Sequence, residues 1–236
     1  MATPTKTNLI KTGAEALTKT ILNKSPNSVQ CCTICLNFAG ITTPMNFLAH
    51  LYLSPDIEKV ILGNFFADAV KGKQYEKYEK DIQRGIILHR AIDTFTDKHP
   101  VFRQSAKRLR PQYGLYSRVI VDIYYDHFLA RNWDDYSSID LTDFVQSAYK
   151  MLVRNYLILP GRSKRILPFM IAQNWLAGYA SMQDLQRVFN GMSRRTGYKS
   201  GMENAVESLK NDYTKYAEEF KRFFPEIIAF VDNSNN

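Results

Sequence analysis

The segments IILHRAIDTF, residues 86–95, and RVIVDIYYDHFLA, residues 118–130, decide how this chain folds. Both place apolar residues at three- and four-residue spacing, which predicts two helices. Each segment also carries acidic and histidine side chains, mostly at i, i+4 spacing: His89, Asp93, Asp122, Asp126 and His127. Residues four apart lie on one face of a helix, close enough to hold a common ion. Ionisable groups on the apolar face of a helix require a physical reason.

Two structural explanations compete with a functional one. A His four residues from an Asp can form a hydrogen-bonded pair, and a helical Asp can be neutralised by a nearby Arg. Two more such residues favour function: His50 in MNFLAHLYLS and Asp68 in ILGNFFADAVKG. Burying several carboxylates without a cation is costly, because the charges repel and lose their hydration. We therefore predict a divalent metal. Mixed oxygen and imidazole ligands suit Mn²⁺, Mg²⁺ or Fe²⁺, and such sites commonly serve phosphoester hydrolysis.

Composition is typical of a folded, basic protein. The 236 residues are 45% hydrophobic and 13% aromatic, enough for a substantial core in one large domain or two small ones. The formal net charge of +8 is compatible with nucleic acid, a membrane surface or an acidic protein as partner, and equally with a solvated basic surface.

Residues 1–44 differ from the rest. They are rich in Thr, Asn, Ser and Lys, show no sustained periodicity, and contain all three cysteines: Cys31, Cys32 and Cys35. These cysteines lack a fourth zinc ligand, and we interpret them as free thiols. No cleaved signal peptide is expected, and the absence of later cysteines predicts a cytoplasmic protein. We interpret the segment as a weakly ordered extension, or as sequence translated ahead of the true start.

From Met45 the pattern is helical throughout, which predicts one all-α domain over residues 45–236 without a transmembrane segment. A first helix is expected after the cap residue Ser54 and should end at Gly72. Others are expected over residues 78–97, 101–110, 115–131, 141–157, 163–177, 182–194 and 202–231. Proline is expected to end, kink or split helices at Pro100, Pro111, Pro168 and Pro225. No phosphate-binding loop, dinucleotide fingerprint, nucleophile elbow or HExxH motif is present.

Four segments taken in order, MNFLAHLYLS, GNFFADAVKG, GIILHRAIDTFTDKHP and VIVDIYYDHFLARNW, resemble the acyl carrier protein phosphodiesterase family. The resemblance covers residues 45 to about 230. It implies that proteins of the family normally begin at the position that corresponds to Met45. It implies an HD-phosphohydrolase-like fold and Mn²⁺-dependent hydrolysis of the phosphodiester between 4′-phosphopantetheine and a serine of acyl carrier protein. The adjacent His-Asp doublet of HD enzymes is replaced here by the spaced His89 and Asp93 and by the reversed pair Asp126 and His127.

The resemblance also implies roles for individual side chains. The metal site would be formed by His50, Asp68, His89, Asp93 and Asp122. A carboxylate that does not bind the metal, such as Asp126, or the His127 imidazole would transfer a proton. Arg90 and Arg118 would contact the phosphate, Arg90 as part of the catalytic group. A basic rim would attract the acidic carrier protein: Lys71, Arg84, Arg118 and Arg131.

Two other functions stay open on the sequence. A related metal-dependent hydrolase could act on a nucleotide or another small phosphoester. Alternatively, a non-catalytic helical module could use its basic surface to bind RNA or an acidic protein. A pure binding module has no need of buried acidic and histidine pairs and should bind no metal, so metal binding discriminates between these classes. Nucleic acid is not the expected partner, and the oligomeric state is not predicted.

Overall fold

The computed structural model describes residues 47–235, which are mainly helical and contain no β-strand. The α-helices are α1 (Phe47–Tyr52), α2 (Glu58–Phe66), α3 (Lys80–Lys98), α4 (Pro100–Tyr113), α5 (Ser117–Arg131), α6 (Leu141–Arg154), α7 (Gly161–Ala172), α8 (Trp175–Gly178), α9 (Met182–Arg195), α10 (Ala205–Asn211) and α11 (Tyr213–Asn235). Short 3₁₀ turns cover Ala67–Ala69, Gly72–Lys77, Gly114–Tyr116, Trp133–Asp135 and Met202–Asn204. The predicted all-α single domain is confirmed, while its likeness to HD phosphohydrolases stays a prediction.

Helix α5 is the central helix of the domain. Its buried residues lie on nearly every side, as in the consecutive run from Ile123 to Ala130. A helix that is apolar all round must be covered all round. Helix α11 covers one side with aromatic rings: the Phe220 ring lies 5.6 Å from that of Tyr125 and 5.9 Å from that of Phe128, between centroids.

The backbones of α2 and α3 touch where two glycines face each other. A Cβ atom added to Gly85 would lie 2.8 Å from the amide nitrogen of Asn64 and 2.9 Å from the Cα of Gly63, and would overlap the carbonyl oxygen of Val60. Any side chain here would push the helices apart. This contact brings Asn64 on α2 close to His89, one turn beyond Gly85 on α3.

Several predicted helix limits are wrong. Ser54 does not cap α2, which begins at Glu58 after Ile57. The Ser54 hydroxyl instead donates to the carbonyl of His50 and accepts from the side-chain amide of Asn64. The same helix ends at Phe66 rather than Gly72, so Asp68 lies in the 3₁₀ turn that follows.

Proline does not end or split the helix at three positions, because α4 continues past Pro111, α7 past Pro168 and α11 past Pro225. Packing outweighs the lost backbone hydrogen bond there. A kink at Pro168 or Pro225 stays a prediction. The breaks lie elsewhere. Residues 163–177 divide at Asn174, whose backbone is left-handed (φ 47°, ψ 51°). Residues 202–231 form a 3₁₀ turn and two helices, α10 and α11.

Within residues 47–235, none of the helices is both long and apolar enough to cross a lipid bilayer. The predicted N-terminal extension and its cysteines lie outside the described residues.

The glycine contact predicts a position-specific loss of stability. Gly85→Ala should lower the free energy of unfolding by about 1–3 kcal/mol, because the added methyl group has no room between the two backbones. Urea denaturation measures this change. The matched control is Gly191→Ala in α9, where an added Cβ meets no atom within 4 Å. It should raise stability by about 0.5–1 kcal/mol through helix propensity alone. Equal stability of Gly85→Ala and the wild type would contradict the interpretation.

Candidate metal centre

Two histidines and an aspartate converge where α1 meets α3. The Nε2 atom of His50 lies 3.4 Å from Oδ1 of Asp93, and the Nε2 atom of His89 lies 3.2 Å from Oδ2 of the same carboxylate. One potential ligand atom from each residue lies within 4.8 Å of the other two. The two imidazole rings stack, with centroids 4.1 Å apart. Both histidines are buried and Asp93 is half-exposed, so the centre opens to solvent on the Asp93 side.

Asp68 lies at the edge of this cluster. Its Oδ1 atom is 3.3 Å from the Nε2 atom of His89, and its side chain is partly exposed. The 3₁₀ turn after α2 positions Asp68 there, and the guanidinium of Arg90 holds the following backbone by donating to the carbonyls of Val70 (2.9 Å) and Gly72 (2.8 Å). The i, i+4 pair on α3 thus combines with His50 and Asp68 as the sequence predicted; whether these groups bind a metal stays a prediction.

A buried amide that the sequence analysis did not select supports both imidazoles. The Oδ1 atom of Asn64 lies 2.9 Å from Nδ1 of His50 and 3.1 Å from Nδ1 of His89, and Asn64 is fully buried. Its position in GNFFAD, a polar residue between apolar ones at the start of a motif, could have indicated it. An Asn in a helix is, however, also compatible with an ordinary surface position.

Charges around the centre are strongly coupled. Burial would lower the pKa of the His89 imidazole, but the carboxylates of Asp68 and Asp93 raise it to about 9. Burial and the nearby charge of His89 lower the pKa of His50. Burial would raise the pKa of the Asp93 carboxyl, but the two close imidazoles hold it well below its usual range. Without a metal, one proton therefore stays on His89 between two carboxylates, at the place a cation would occupy.

Asp122 lies beside this cluster rather than within it. It lines a small, mostly apolar cavity with His50, Thr96 and Phe223. Burial, followed by the negative charge of Asp93 and other nearby carboxylates, raises the pKa of the Asp122 carboxyl well above its usual value. Its predicted role as a metal ligand would require it to reach across from the cavity, and that role stays a prediction.

Asp126 supports the centre through the backbone of α1, the helix that carries His50. Its two carboxylate oxygens accept hydrogen bonds from the backbone amides of Leu48 (3.1 Å) and Ala49 (2.9 Å), in the first turn of α1. These amides have no partner within the helix, so Asp126 acts as their cap from a distant part of the chain. Burial raises the pKa of this carboxyl to about 8, although the two backbone hydrogen bonds lower it. The geometry indicates that Asp126 positions His50, two residues further along α1.

His127 faces away from the cluster. Its Nδ1 atom lies 2.7 Å from the carbonyl oxygen of Tyr179, and its Nε2 atom lies 3.1 Å from the hydroxyl of Tyr213. Its ring is buried among aromatic side chains, and burial lowers its pKa. Packing and hydrogen bonding thus account for the burial of His127. Its catalytic role stays a prediction, and this geometry does not favour it.

The predicted basic residues occupy different environments. Arg90 is partly buried and its guanidinium lies over the ring of Tyr75. Arg118 pairs with Asp97 at 2.6 Å, and Arg84 pairs with Asp81 at 3.2 Å, all on the surface. Lys71 and Arg131 are also exposed. Their proposed contacts with substrate stay predictions.

The residues of the cluster suit a divalent cation. Within the described part of the chain, the buried Nε2 atom of His50 has no hydrogen-bond partner, even though it points toward Asp93. An orphaned buried nitrogen next to carboxylate oxygens is the arrangement expected of a ligand set. The His50, His89 and Asp93 group is thus a possible metal site, open to Asp68 as a further ligand.

Comparison with known proteins connects these elements to one family. The profile of the family "Acyl carrier protein phosphodiesterase" matches residues 45–227, a span that includes every residue of the cluster. A protein of that name from Photorhabdus laumondii is 31% identical over 192 residues, covering 81% of this chain and 97% of the relative. One from Shigella boydii serotype 4 is 32% identical over 186 residues, covering 78% and 96%. No solved structure gives a significant match. The chain belongs to the acyl carrier protein phosphodiesterase family.

Proposed function

We propose that this protein hydrolyses the phosphodiester between 4′-phosphopantetheine and a serine of acyl carrier protein, using a divalent metal. Family membership supports the substrate, and the cluster of His50, His89 and Asp93 supports the metal. The single observation that carries the mechanism is this convergence of two buried imidazoles and one half-exposed carboxylate from α1 and α3. A module that only binds a partner has no need of such a cluster. The cytoplasmic location stays a prediction.

His50, His89 and Asp93 would hold the metal, with Asp68 as a further ligand at the rim. A divalent ion supplies Lewis-acid stabilisation for the charge that develops on phosphoryl oxygens. Oxygen and imidazole ligands without thiolate suit Mn²⁺, Mg²⁺ or Fe²⁺, and the resemblance to the family favours Mn²⁺ among these three. The half-exposed side of Asp93 is where the phosphodiester would approach, because the other faces of the cluster are buried.

The protein's own groups would also handle the proton that hydrolysis requires. Asp122 is our candidate for this work, because burial and the nearby carboxylates raise the pKa of its carboxyl well above the usual value and so favour the protonated form that a general acid needs. Arg90 would keep the turn that carries Asp68 in place through its hydrogen bonds to Val70 and Gly72. That contact supports an organising role beside the phosphate contact predicted for it.

The surface beside the centre supports an acidic partner. Arg84 is exposed on the helix that carries His89, and Lys71 is exposed two residues after the 3₁₀ turn that carries Asp68. The chain as a whole has a net charge of +8. Basic groups around a site raise the rate at which an acidic protein finds it, and salt weakens the effect.

The activity test uses purified holo-acyl carrier protein, the full chain and Mn²⁺, with mass spectrometry of the carrier. We expect loss of one phosphopantetheine, abolished by chelator. The His89→Ala, Asp93→Ala double variant should be slower by more than about 100-fold, because losing ligands costs at least as much as losing their outer-shell partners. The matched control is Asp143→Asn, an exposed carboxylate at the start of α6, which should keep full activity.

Each negative outcome of that test has a separate meaning. An unchanged carrier with a folded, metal-loaded enzyme would contradict the carrier protein as substrate and favour a nucleotide or another small phosphoester. An unchanged carrier together with no bound metal would contradict the enzyme altogether and favour the basic binding module.

Metal affinity should depend on pH in a defined window. The pKa of His89 is raised to about 9, so a metal that binds its Nε2 atom must displace a proton. The apparent affinity for Mn²⁺ should therefore rise as pH increases from about 6.5 to about 9, approaching tenfold per pH unit when one proton is released. Calorimetric titration at several pH values measures this slope, and His127→Gln should keep it. An affinity independent of pH would contradict the predicted proton displacement.

The stability of the metal-free protein should show the opposite pH dependence. A histidine whose pKa is raised by folding contributes stability that is fully present below its unfolded pKa of about 6.5. That contribution is lost as pH rises through about 9, the folded pKa of His89. Thermal unfolding of chelator-treated protein across this range checks the sign, and His89→Ala should flatten that part of the curve.

A further inference from the structure

One amide oxygen contacts both imidazoles of the candidate centre. Asn64 Oδ1 lies 2.9 Å from Nδ1 of His50 and 3.1 Å from Nδ1 of His89, although the two histidines belong to different helices. The rings stack at 4.1 Å, so both present the same edge to this oxygen. Their Nε2 atoms both point toward Asp93.

The orientation of the Asn64 amide is determined by its other end. Its Nδ2 atom donates to the carbonyl oxygen of His50 at 3.0 Å and to the hydroxyl of Ser54 at 2.9 Å. The Ser54 hydroxyl donates its own hydrogen to the same His50 carbonyl, so it must accept from Asn64. A flipped amide would place its oxygen against a carbonyl oxygen and its NH₂ group against the rings. The network therefore directs Oδ1 toward the histidines.

An amide oxygen accepts hydrogen bonds and cannot donate them, so both Nδ1 atoms must carry hydrogen to bond with it. A neutral imidazole with hydrogen on Nδ1 has its lone pair on Nε2, where a metal binds. We infer that Asn64 is a positioning residue that keeps hydrogen on Nδ1 of both His50 and His89. Nε2 is then the atom that binds the metal, directly in neutral His50 and in His89 once its Nε2 proton has been released. This inference rests on the proposed metal centre and adds to it the residue that prepares the ligands.

The carboxylates make this control necessary. In the metal-free protein, Asp93 and Asp68 lie near the Nε2 atoms and would favour the tautomer with hydrogen on Nε2, which has no lone pair on that atom for a metal. For a neutral ring, Asn64 opposes that preference by offering an acceptor to Nδ1–H. Its complete burial excludes water as a substitute acceptor and makes the hydrogen bonds costly to leave unmade.

The position of Asn64 follows from the contact between α2 and α3. Asn64 follows Gly63, and the two helices touch backbone to backbone at Gly63 and Gly85. At such a separation, a side chain as short as asparagine reaches the His89 ring on the neighbouring helix.

The test compares three variants of the full chain. Asn64→Ala removes the acceptor. Asn64→Asp keeps an acceptor oxygen for both rings and loses the donor end. Ser54→Ala is the matched control, because it removes one partner of the same amide and leaves the acceptor in place. Circular dichroism establishes which variants fold.

The first readout is the tautomer itself, from long-range ¹H–¹⁵N NMR of the imidazole nitrogens in metal-free protein. Wild type, Asn64→Asp and Ser54→Ala should show His50 with hydrogen on Nδ1. Asn64→Ala should shift His50 toward hydrogen on Nε2. A merely structural role for Asn64 would lower stability without moving this equilibrium.

The second readout is Mn²⁺ affinity by calorimetry. Asn64→Ala should bind about 10–100-fold more weakly than wild type, the usual effect of losing an outer-shell partner. Asn64→Asp should bind more tightly than Asn64→Ala, and Ser54→Ala should bind like the wild type. If Asn64→Ala fails to fold, loss of the wild-type tautomer in Asn64→Asp but not in Ser54→Ala would contradict the inference, because the acceptor oxygen is present in both.

The inference would be overturned if Asn64→Ala kept the wild-type tautomer and affinity, or if Asn64→Asp lost both. Failure of the metal centre would look different. Wild type would then bind no Mn²⁺, while the NMR comparison of metal-free proteins would still report whether Asn64 sets the tautomer of His50.

Discussion

The close contact of α2 with α3 at Gly63 and Gly85 determines the geometry of the candidate centre. Because neither glycine has a side chain, the two backbones lie so close together that a single added Cβ atom would clash with the facing helix. Asn64 then reaches His89, and Asp68 in the turn after α2 approaches the same ring. If the helices lay further apart, Asn64 and Asp68 would not reach the His89 ring. The constraint is steric and local, and the contacts that Asn64 and Asp68 make with His89 cross this interface.

A second constraint fixes His50 from the opposite direction. Helix α1 is short, and its first backbone amides bond to the buried Asp126 on α5. A helix of six residues has little stability of its own, so tertiary contacts must hold it. Asp126 thus contributes to the centre through its hydrogen bonds to the backbone of α1. Asp122, one turn earlier on the same helix, instead lines the cavity beside His50. Two similar residues on one helix therefore do different work.

The electrostatic balance of the centre explains why it suits a cation. Asp68 and Asp93 lie around two stacked imidazoles, and a proton on His89 compensates part of their charge. A divalent metal would replace that proton and satisfy the orphaned nitrogen of His50 at the same time. Family membership indicates that the substrate of this centre is a phosphodiester. The protein's excess of basic residues is compatible with an acidic carrier protein as partner.

The amino-acid sequence alone determined the all-α class and the pairing of His89 with Asp93, because helical periodicity and i, i+4 spacing are local properties. It also selected His50 and Asp68, since ionisable residues in apolar runs stand out without knowledge of the fold. It could not separate Asp126 and His127 from the centre, because both lie on a helix buried on nearly all sides. It also missed Asn64 and misplaced Ser54, whose partners lie on other segments of the chain. Which polar residues meet was decided only by the tertiary structure, through the approach of α1, α2 and α3, since hydrogen bonds between helices depend on distances that no local pattern encodes.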